Sequence, residues 1–253
     1  ISEEDLRRTE KTSQRIDQIT TELQDAIMAT RMQPLDVVFS KFRRIVRDLA
    51  RSLGKEIELV IEGEEVELDK TIIEAIGDPL THLVRNAADH GVEDPATRLA
   101  SGKPRAGTLR LSAAHRGGQV LIEIEDDGKG VDPERIRRKA QATGLLPAEQ
   151  LEGMGAAALT RLIFAPGFST AEKVTDVSGR GVGMDVVHSN ITKLGGTIDI
   201  DSTLCFGTRL SIRLPLTLSI VPCLLLVEGG QPFAIPQTHL VELQRIRPAD
   251  VQH

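Results

Sequence analysis

Apolar positions along this chain change their period twice, and the changes mark out its elements. From Ile1 to about Met32 a polar segment carries a thin apolar stripe, Leu6, Ile16, Ile19, Leu23 and Ile27, which predicts one helix too polar to stand alone. After Gln33-Pro34 a second helix places Leu35, Phe39, Phe42, Val46, Leu49 and Leu53 at alternating steps of four and three and stops at Gly54. That spacing is the seam of a helix pair. A single hairpin has a narrow core, so residues 1–54 are expected to pair with a second copy as a four-helix bundle. The alternative is that the hairpin packs on its own globular domain.

Beyond Gly54 the period becomes two. Ile57 to Ile61 and Val66 to Leu68 read as short strands around Gly63, Thr71 to His90 as a helix, and Thr108 to Ala114 with Gln119 to Glu125 as a hairpin across Arg116-Gly-Gly118. Pro133 to Thr143 is a capped helix ending at Gly144, and Leu151 to Phe164 is expected to be helical despite Gly153 and Gly155. Ala165 to Gly183 reads as loop, Met184 to Leu194 as helix, and Thr197 to Ile200 and Thr208 to Leu214 as closing strands. Strands joined by tight turns and mixed with helices predict an α+β fold, a largely antiparallel sheet with helices on one face, over residues 55–215. From 216 to 253 a strand-rich stretch with a hairpin at Glu228-Gly-Gly230 reads as the start of a further, truncated domain.

Composition narrows the function. With 40% hydrophobic and 27% charged residues among 253, the chain is globular, and a net charge of −6 gives no electrostatic reason to expect a nucleic-acid partner. The absence of Trp and Tyr also removes the stacking platforms of single-strand binders. Cys205 and Cys223 lack zinc-site spacing and are expected to be buried free thiols. No apolar run is long enough for a membrane helix, so a cytoplasmic chain is expected; the start at Ile1 suggests a piece of a longer protein.

Three segments carry chemistry. At a spacing of four, His82, Asn86 and His90 share one helix face, with Leu80, Leu83, Val84, Ala87 and Ala88 around the rest. Asn86 offers an amide oxygen that suits Mg²⁺, which keeps waters and phosphate oxygens as its other ligands. Zinc fits poorly there, since no thiolate or carboxylate stands at ligand spacing. The other reading is a solvated helix face. Asp126 ends the alternating strand Val120, Ile122, Ile124, and Gly128 and Gly130 let backbone approach a ligand closely; that carboxylate can accept from an adenine amino group, although Asp-Asp-Gly is also an ordinary turn and Ca²⁺ a weaker alternative. Ser178-Gly-Arg-Gly-Val-Gly-Met-Asp185 sets alternating glycines at a helix entry, where backbone N–H groups suit phosphate. Its spacing is wrong for a dinucleotide fold, and no phosphate-loop ATPase run exists.

In this order the segments resemble the CheA-type chemotaxis histidine kinases. Asp78 to Glu93 resembles that family's N box, Asp126 to Gly130 its first glycine box, Phe164-Ala-Pro-Gly-Phe-Ser169 its phenylalanine box, Gly179 to Gly183 its second glycine box, and Gly207-Thr208 the closing Gly-Thr. Residues 30–54 resemble its dimerisation domain, and Leu214-Pro-Leu-Thr-Leu218 onward the start of its CheW-like regulatory domain. The resemblance implies the ATP site shared by histidine kinases, Hsp90, MutL and type II topoisomerases. Asp126 would hold adenine, Asn86 and His90 would hold Mg²⁺, and His82 would orient or polarise at the γ-phosphoryl group. The remaining nucleotide-site residues on this likeness are Arg85, Asp89, Gly128, Gly130, Ser169, Gly179, Arg180, Gly181, Val182, Gly183, Met184 and Thr208. Gly153 to Gly183 would be a lid ordering over nucleotide.

Ile1 to Leu53 contain no histidine, so the phosphoacceptor is expected on a separate phosphotransfer domain. The resemblance further implies a homodimer, a CheW-like coupling protein, a chemoreceptor array at the membrane and a downstream response regulator. Two rivals stand beside this reading. One is a dimeric signalling scaffold with a degenerate pocket. The other is an ATPase of the Hsp90 or MutL kind, which would need a catalytic acid where this chain has His82.

Overall fold

The computed structural model describes residues 11–13, 15–16, 18–20, 22–23, 26–27, 29–168, 183–216 and 223–236. The chain divides into two compact units, Ile1–Leu218 and Ser219–His253.

The first unit is built on a five-stranded sheet in the order β2-β4-β5-β7-β6, comprising β2 (Ile57–Glu62), β4 (Gly107–Arg116), β5 (Gln119–Asp126), β6 (Thr197–Thr203) and β7 (Gly207–Pro215). Only β2 and β4 run parallel; every other pair is antiparallel. Alternation decides the faces. Val120, Ile122, Ile124 and Asp126 of β5 are all buried on one side, with Leu109 and Leu111 of β4 and Leu210, Ile212 and Leu214 of β7. The opposite side is wet and ionic, where Glu125 faces Arg209 across the ladder at 3.0 Å.

Three helices cover the apolar face: α1 (Asp36–Leu53), α2 (Lys70–Asn86) and α7 (Met184–Lys193). Asp69 caps α2 by accepting from the Thr71 N–H at 2.7 Å. Ile72, Ile76, Leu80 and Leu83 then recur at three- and four-residue steps, each fully buried.

The expected boundary at Gly54 is not where the unit divides. Phe39 and Phe42, 0% and 1% exposed, sit in the same core as Leu80 and Ile122, together with Leu35, Val38 and Val46. Leu35, Phe39, Phe42 and Val46 of the stripe are therefore used against their own chain, while Leu53 at its end stays 37% exposed. A four-and-three spacing shows that one face is buried and says nothing of what buries it. Two further contacts tie the entry to α1 in place: β1 (Met32–Pro34) pairs with β3 (Glu67–Asp69), and Arg31 reaches Asp69 at 3.3 Å and Thr71 at 2.7 Å. Consequently β2 and β3 do not form a hairpin around Gly63, because β3 is taken by β1 and β2 by β4. The stripe of the first helix behaves differently: Ile16, Ile19, Leu23 and Ile27 are all more than half exposed in this chain.

A smaller core gathers Ile136 and Ala140 of α4 (Pro133–Ala142), Leu151 of α5 (Ala148–Glu152), Leu159 of α6 (Ala156–Arg161) and Phe168. The helix expected over Leu151 to Phe164 is thus broken at Gly153–Gly155, and residues 153–168 of the expected lid are folded structure. Arg161 fastens them to β6 through both oxygens of Asp199, at 2.9 and 3.0 Å. Residues 169–182 lie outside the described residues.

The cysteines are free, but Cys205 is exposed and Cys223 half-buried, against the expectation of buried thiols. Cys205 occupies the turn between β6 and β7 with a left-handed φ of 66°. In the second unit, β8 (Cys223–Glu228) and β9 (Gln231–Pro236) form the hairpin expected at Gly229-Gly230, both glycines left-handed. Leu225 and Val227 are each 73% exposed, so the hairpin encloses no core of its own among the described residues. No described helix is long and apolar enough to cross a membrane.

Candidate functional site

The strand that carries Val120, Ile122 and Ile124 inward must also carry Asp126 inward, since side chains alternate along a strand. Its carboxylate, 6% exposed, accepts from the Gly128 N–H at 3.0 Å. Burial pushes the carboxyl up to about 6, aided by the neighbouring Asp127 and Glu93 charges, while the Gly128 N–H and Lys103 hold it back. Glycine makes this possible. A Cβ on Gly91 would lie 2.8 Å from Asp126 Oδ2, and one on Gly128 would strike the Gly91 carbonyl. Gly207 has the same reason to lack a side chain, since its Cβ would overlap the Asp126 carbonyl.

Gly91 is the end of the helix that carries the other candidate residues. The expected helix to His90 is regular only as far as Asn86, and Ala87–Gly91 forms a π turn closed by Val92 N–H donating to the Ala87 carbonyl at 2.9 Å. Lys55 stabilises that turn from outside, donating to the carbonyls of Ala88 at 2.9 Å, Asp89 and Val92 at 2.8 Å. Burial lowers the Lys55 pKa, opposed by the nearby Asp89.

Ahead of the π turn, His82 and Asn86 stand one helical turn apart, both half-buried, with Arg85 beside them. Burial lowers the His82 pKa, and Arg85 and His90 lower it further, so the imidazole is neutral at pH 7. Asn86 Nδ2 donates to Met184 Sδ at 3.4 Å, which links α2 to the first residue of α7. With its nitrogen turned to sulfur, the amide presents its oxygen elsewhere, as a hard cation requires. Asp89 and His90 are exposed, His90 Nε2 lying 3.8 Å from Asp89 Oδ2. No cluster of three His, Cys, Asp or Glu among the described residues is arranged to hold a metal by itself. Asn86 with phosphate oxygens and water fits Mg²⁺ better than a protein cage would.

Of the remaining candidates, Gly183 precedes α7, and Thr208 lies directly opposite Asp126 on β7, within hydrogen-bond reach of Ser202 at 2.9 Å. Gly130 takes a left-handed φ against the Thr203 carbonyl. Ser169, Gly179, Arg180, Gly181 and Val182 lie outside the described residues. The phenylalanine box is divided: Phe168 is in the small core under Lys139, and the Phe164 ring sits 5.7 Å from His188 of α7.

Residues 75–218 match the family described as histidine kinase-, DNA gyrase B- and HSP90-like ATPases. The chain belongs to that family. Within it, the chain is 50% identical over 236 residues to the sensor histidine kinase CheAY of Helicobacter pylori, covering 93% of this chain and 29% of that protein. It is 51% identical over 223 residues to the chemotaxis protein CheA of Klebsiella aerogenes, covering 87% of this chain and 33% of that protein. The chain thus spans about a third of the length of these relatives. An ATPase of this family binds ATP, and the mixed sheet with helices on one face is the fold expected for it.

Sequence reasoning missed Lys55, Arg98 and Lys103, and assigned no role to Asp127. Each makes at least one contact 24 to 37 residues away in sequence, which no local pattern announces.

Proposed function

We propose that this chain is the ATP-binding catalytic core of a CheA-type chemotaxis histidine kinase, moving the γ-phosphoryl group of Mg-ATP to a histidine on a separate phosphotransfer domain. The observation that carries the proposal is the seam at Gly91. It sets the buried Asp126 carboxylate against the end of the helix that presents His82 and Asn86.

On this reading Asp126 accepts from the adenine amino group, and Asn86, with His90 beside it, would hold Mg²⁺. When bound, the ion neutralises phosphate charge. Neutral His82 faces the γ-phosphoryl group, where it orients the incoming imidazole without adding positive charge. Transfer breaks the bond between the γ-phosphorus and the β–γ bridging oxygen, forms a nitrogen–phosphorus bond on the acceptor and releases ADP. Gly183, Met184 and Thr208 border the nucleotide, as do Ser169 and Gly179 to Val182 on the resemblance. The first helix is the proposed dimer contact, because its stripe is exposed where Phe39, Phe42 and Val46 of α1 are buried. The relatives' names support a place in chemotaxis. On the resemblance, a CheW-like coupling protein, a chemoreceptor array and a response regulator would be partners, and residues 216–253 would be the start of the CheW-like domain.

Labelled ATP separates the readings. Incubated alone, the chain should bind Mg-ATP and form no acid-stable or acid-labile protein adduct. With a CheA-type histidine phosphotransfer domain added, acid-labile label should appear on that domain. Stable phosphohistidine on this chain would refute the separate acceptor, and no nucleotide binding by calorimetry would favour the scaffold.

A further inference from the structure

Behind the Asp126 turn lies an ionic cluster that the reading above does not use. Arg98, on the short helix α3 (Pro95–Ala100), is fully buried. Its guanidinium is forked on the Asp127 carboxylate at 2.9 and 3.0 Å, pairs with Glu93 at 3.1 Å and donates to the Pro104 carbonyl at 2.8 Å. Lys103 closes the figure, reaching Glu93 at 2.8 Å and the carbonyls of Asp127 and Gly128 at 2.9 and 2.7 Å. Asp127 also accepts from the Thr108 N–H at 2.9 Å, at the start of β4. The members come from both sides of the Gly91 seam, for Glu93 follows the π turn while Asp127 and Gly128 belong to the turn that carries Asp126.

Four charges so placed are a poor way to gain stability. Desolvation offsets most of their attraction, and well-packed apolar groups would serve as well or better. What such a cluster does supply is fixed geometry, since a bidentate arginine sets both distance and plane. Resting on the reading of Asp126 as the adenine acceptor, we infer that Arg98 and Lys103, with Glu93 and Asp127, are positioning residues that brace the base site and thereby set its preference for a 6-amino over a 6-oxo purine. A carboxylate held against the Gly91 wall accepts from an exocyclic amine and repels a carbonyl oxygen in the same place. If the turn could retreat, the repulsion would be relieved and the preference would shrink.

The brace also sets the charge of the acceptor. The charged groups facing Asp126 are Asp127 and Glu93, which push its pKa up, and Lys103, which pulls it down. Removing members of opposite sign should therefore move Asp126 in opposite directions, which general loosening would not do.

The test uses the wild-type chain, Lys103→Met, the nearly isosteric Asp127→Asn, and Arg110→Met as a control at an exposed ion pair. ATP and inosine triphosphate affinities are measured by calorimetry between about pH 5 and about pH 8, with carboxyl-carbon NMR of Asp126 in the nucleotide-free chain. We expect the ATP-to-ITP preference to fall roughly tenfold in Lys103→Met and in Asp127→Asn, the loss of one charge-assisted hydrogen bond. Arg110→Met should leave it unchanged. The Asp126 midpoint should rise in Lys103→Met and fall in Asp127→Asn. Folded variants that keep the wild-type preference and midpoint would overturn the brace alone. A wild type that binds ATP and ITP equally would instead overturn Asp126 as the base acceptor, and the brace with it.

Discussion

On the proposed reading, the base end and the phosphate end of the site are built on different plans. Around Asp126 everything is in place: the carboxylate is buried and hydrogen-bonded, the Gly91 wall is in contact, and a ring of ion pairs stands behind. At the other end His82 and Asn86 are half-buried, His90 is 75% exposed at its side chain, and the firmest contact of Asn86 is an N–H to sulfur. One end is preorganised. The other presents groups that ligand and metal complete. In energetic terms the base end meets its ordering cost during folding, whereas the phosphate end meets it on binding.

The comparison can be broken by separating metal from base. Asn86→Ala should reduce phosphoryl transfer to the acceptor domain by at least about a thousandfold if, as proposed, the lost amide oxygen would hold the ion that neutralises the phosphates. Its affinity for metal-free nucleotide should change by less than about threefold. Calorimetry with and without Mg²⁺, beside transfer assays, checks both halves. A large loss in the metal-free affinity would mean that Asn86 belongs to the preorganised end.

Asp126→Asn has the reverse signature. Nucleotide affinity should fall by roughly ten- to a hundredfold whether or not Mg²⁺ is present, the loss of one hydrogen bond to a charged group. Stability should move the other way. The folded carboxyl titrates near 6, above its ordinary 3.8, so its contribution to stability is complete below 3.8 and lost as pH rises through 6. At pH 7 to 8 the ionised group is a burden of about 3 kcal/mol, which asparagine removes. A higher melting temperature at about pH 8 with weaker binding would mark Asp126 as a residue kept for function at the expense of stability.

Titration sharpens the same contrast with a smaller effect. In the wild type, ATP affinity should weaken as pH falls through about 6, approaching tenfold per unit, because the protonated carboxyl accepts poorly from the amine. In Asp126→Asn this dependence should vanish. Burial lowers the His82 pKa as well, so any dependence left in Asp126→Asn belongs to the phosphate end.

How much of this was legible in the sequence follows the same division. Alternation through Val120, Ile122 and Ile124 places Asp126 inward without coordinates, and the step of four places His82 and Asn86 together. The α1 stripe was legible as a buried face but its partner was not, because Phe39 meets α2 and the sheet rather than a second chain. The π turn was illegible too. It depends on Lys55, more than thirty residues upstream of the carbonyls it caps, and on a glycine seam that exists only after the sheet has formed. The brace is the plainest case. Arginine and lysine in a polar stretch read as solvated surface, yet Arg98 is fully buried.

His90 offers the smallest and most discriminating effect. If it ligates Mg²⁺ as Asn86 does, the two substitutions should be alike; if the π turn has carried it to the rim, His90→Ala should be mild. Its ring is exposed, with the Asp89 carboxylate 3.8 Å away, which argues for the rim. An exposed ligand displaced by water costs the ion little, since Mg²⁺ keeps several waters in any case. We therefore expect the Mg²⁺ concentration for half-maximal transfer to rise by less than about tenfold in His90→Ala, with kcat at saturating metal nearly unchanged. A loss as deep as that of Asn86→Ala would place His90 inside the coordination shell and make the phosphate end more preorganised than its exposure suggests.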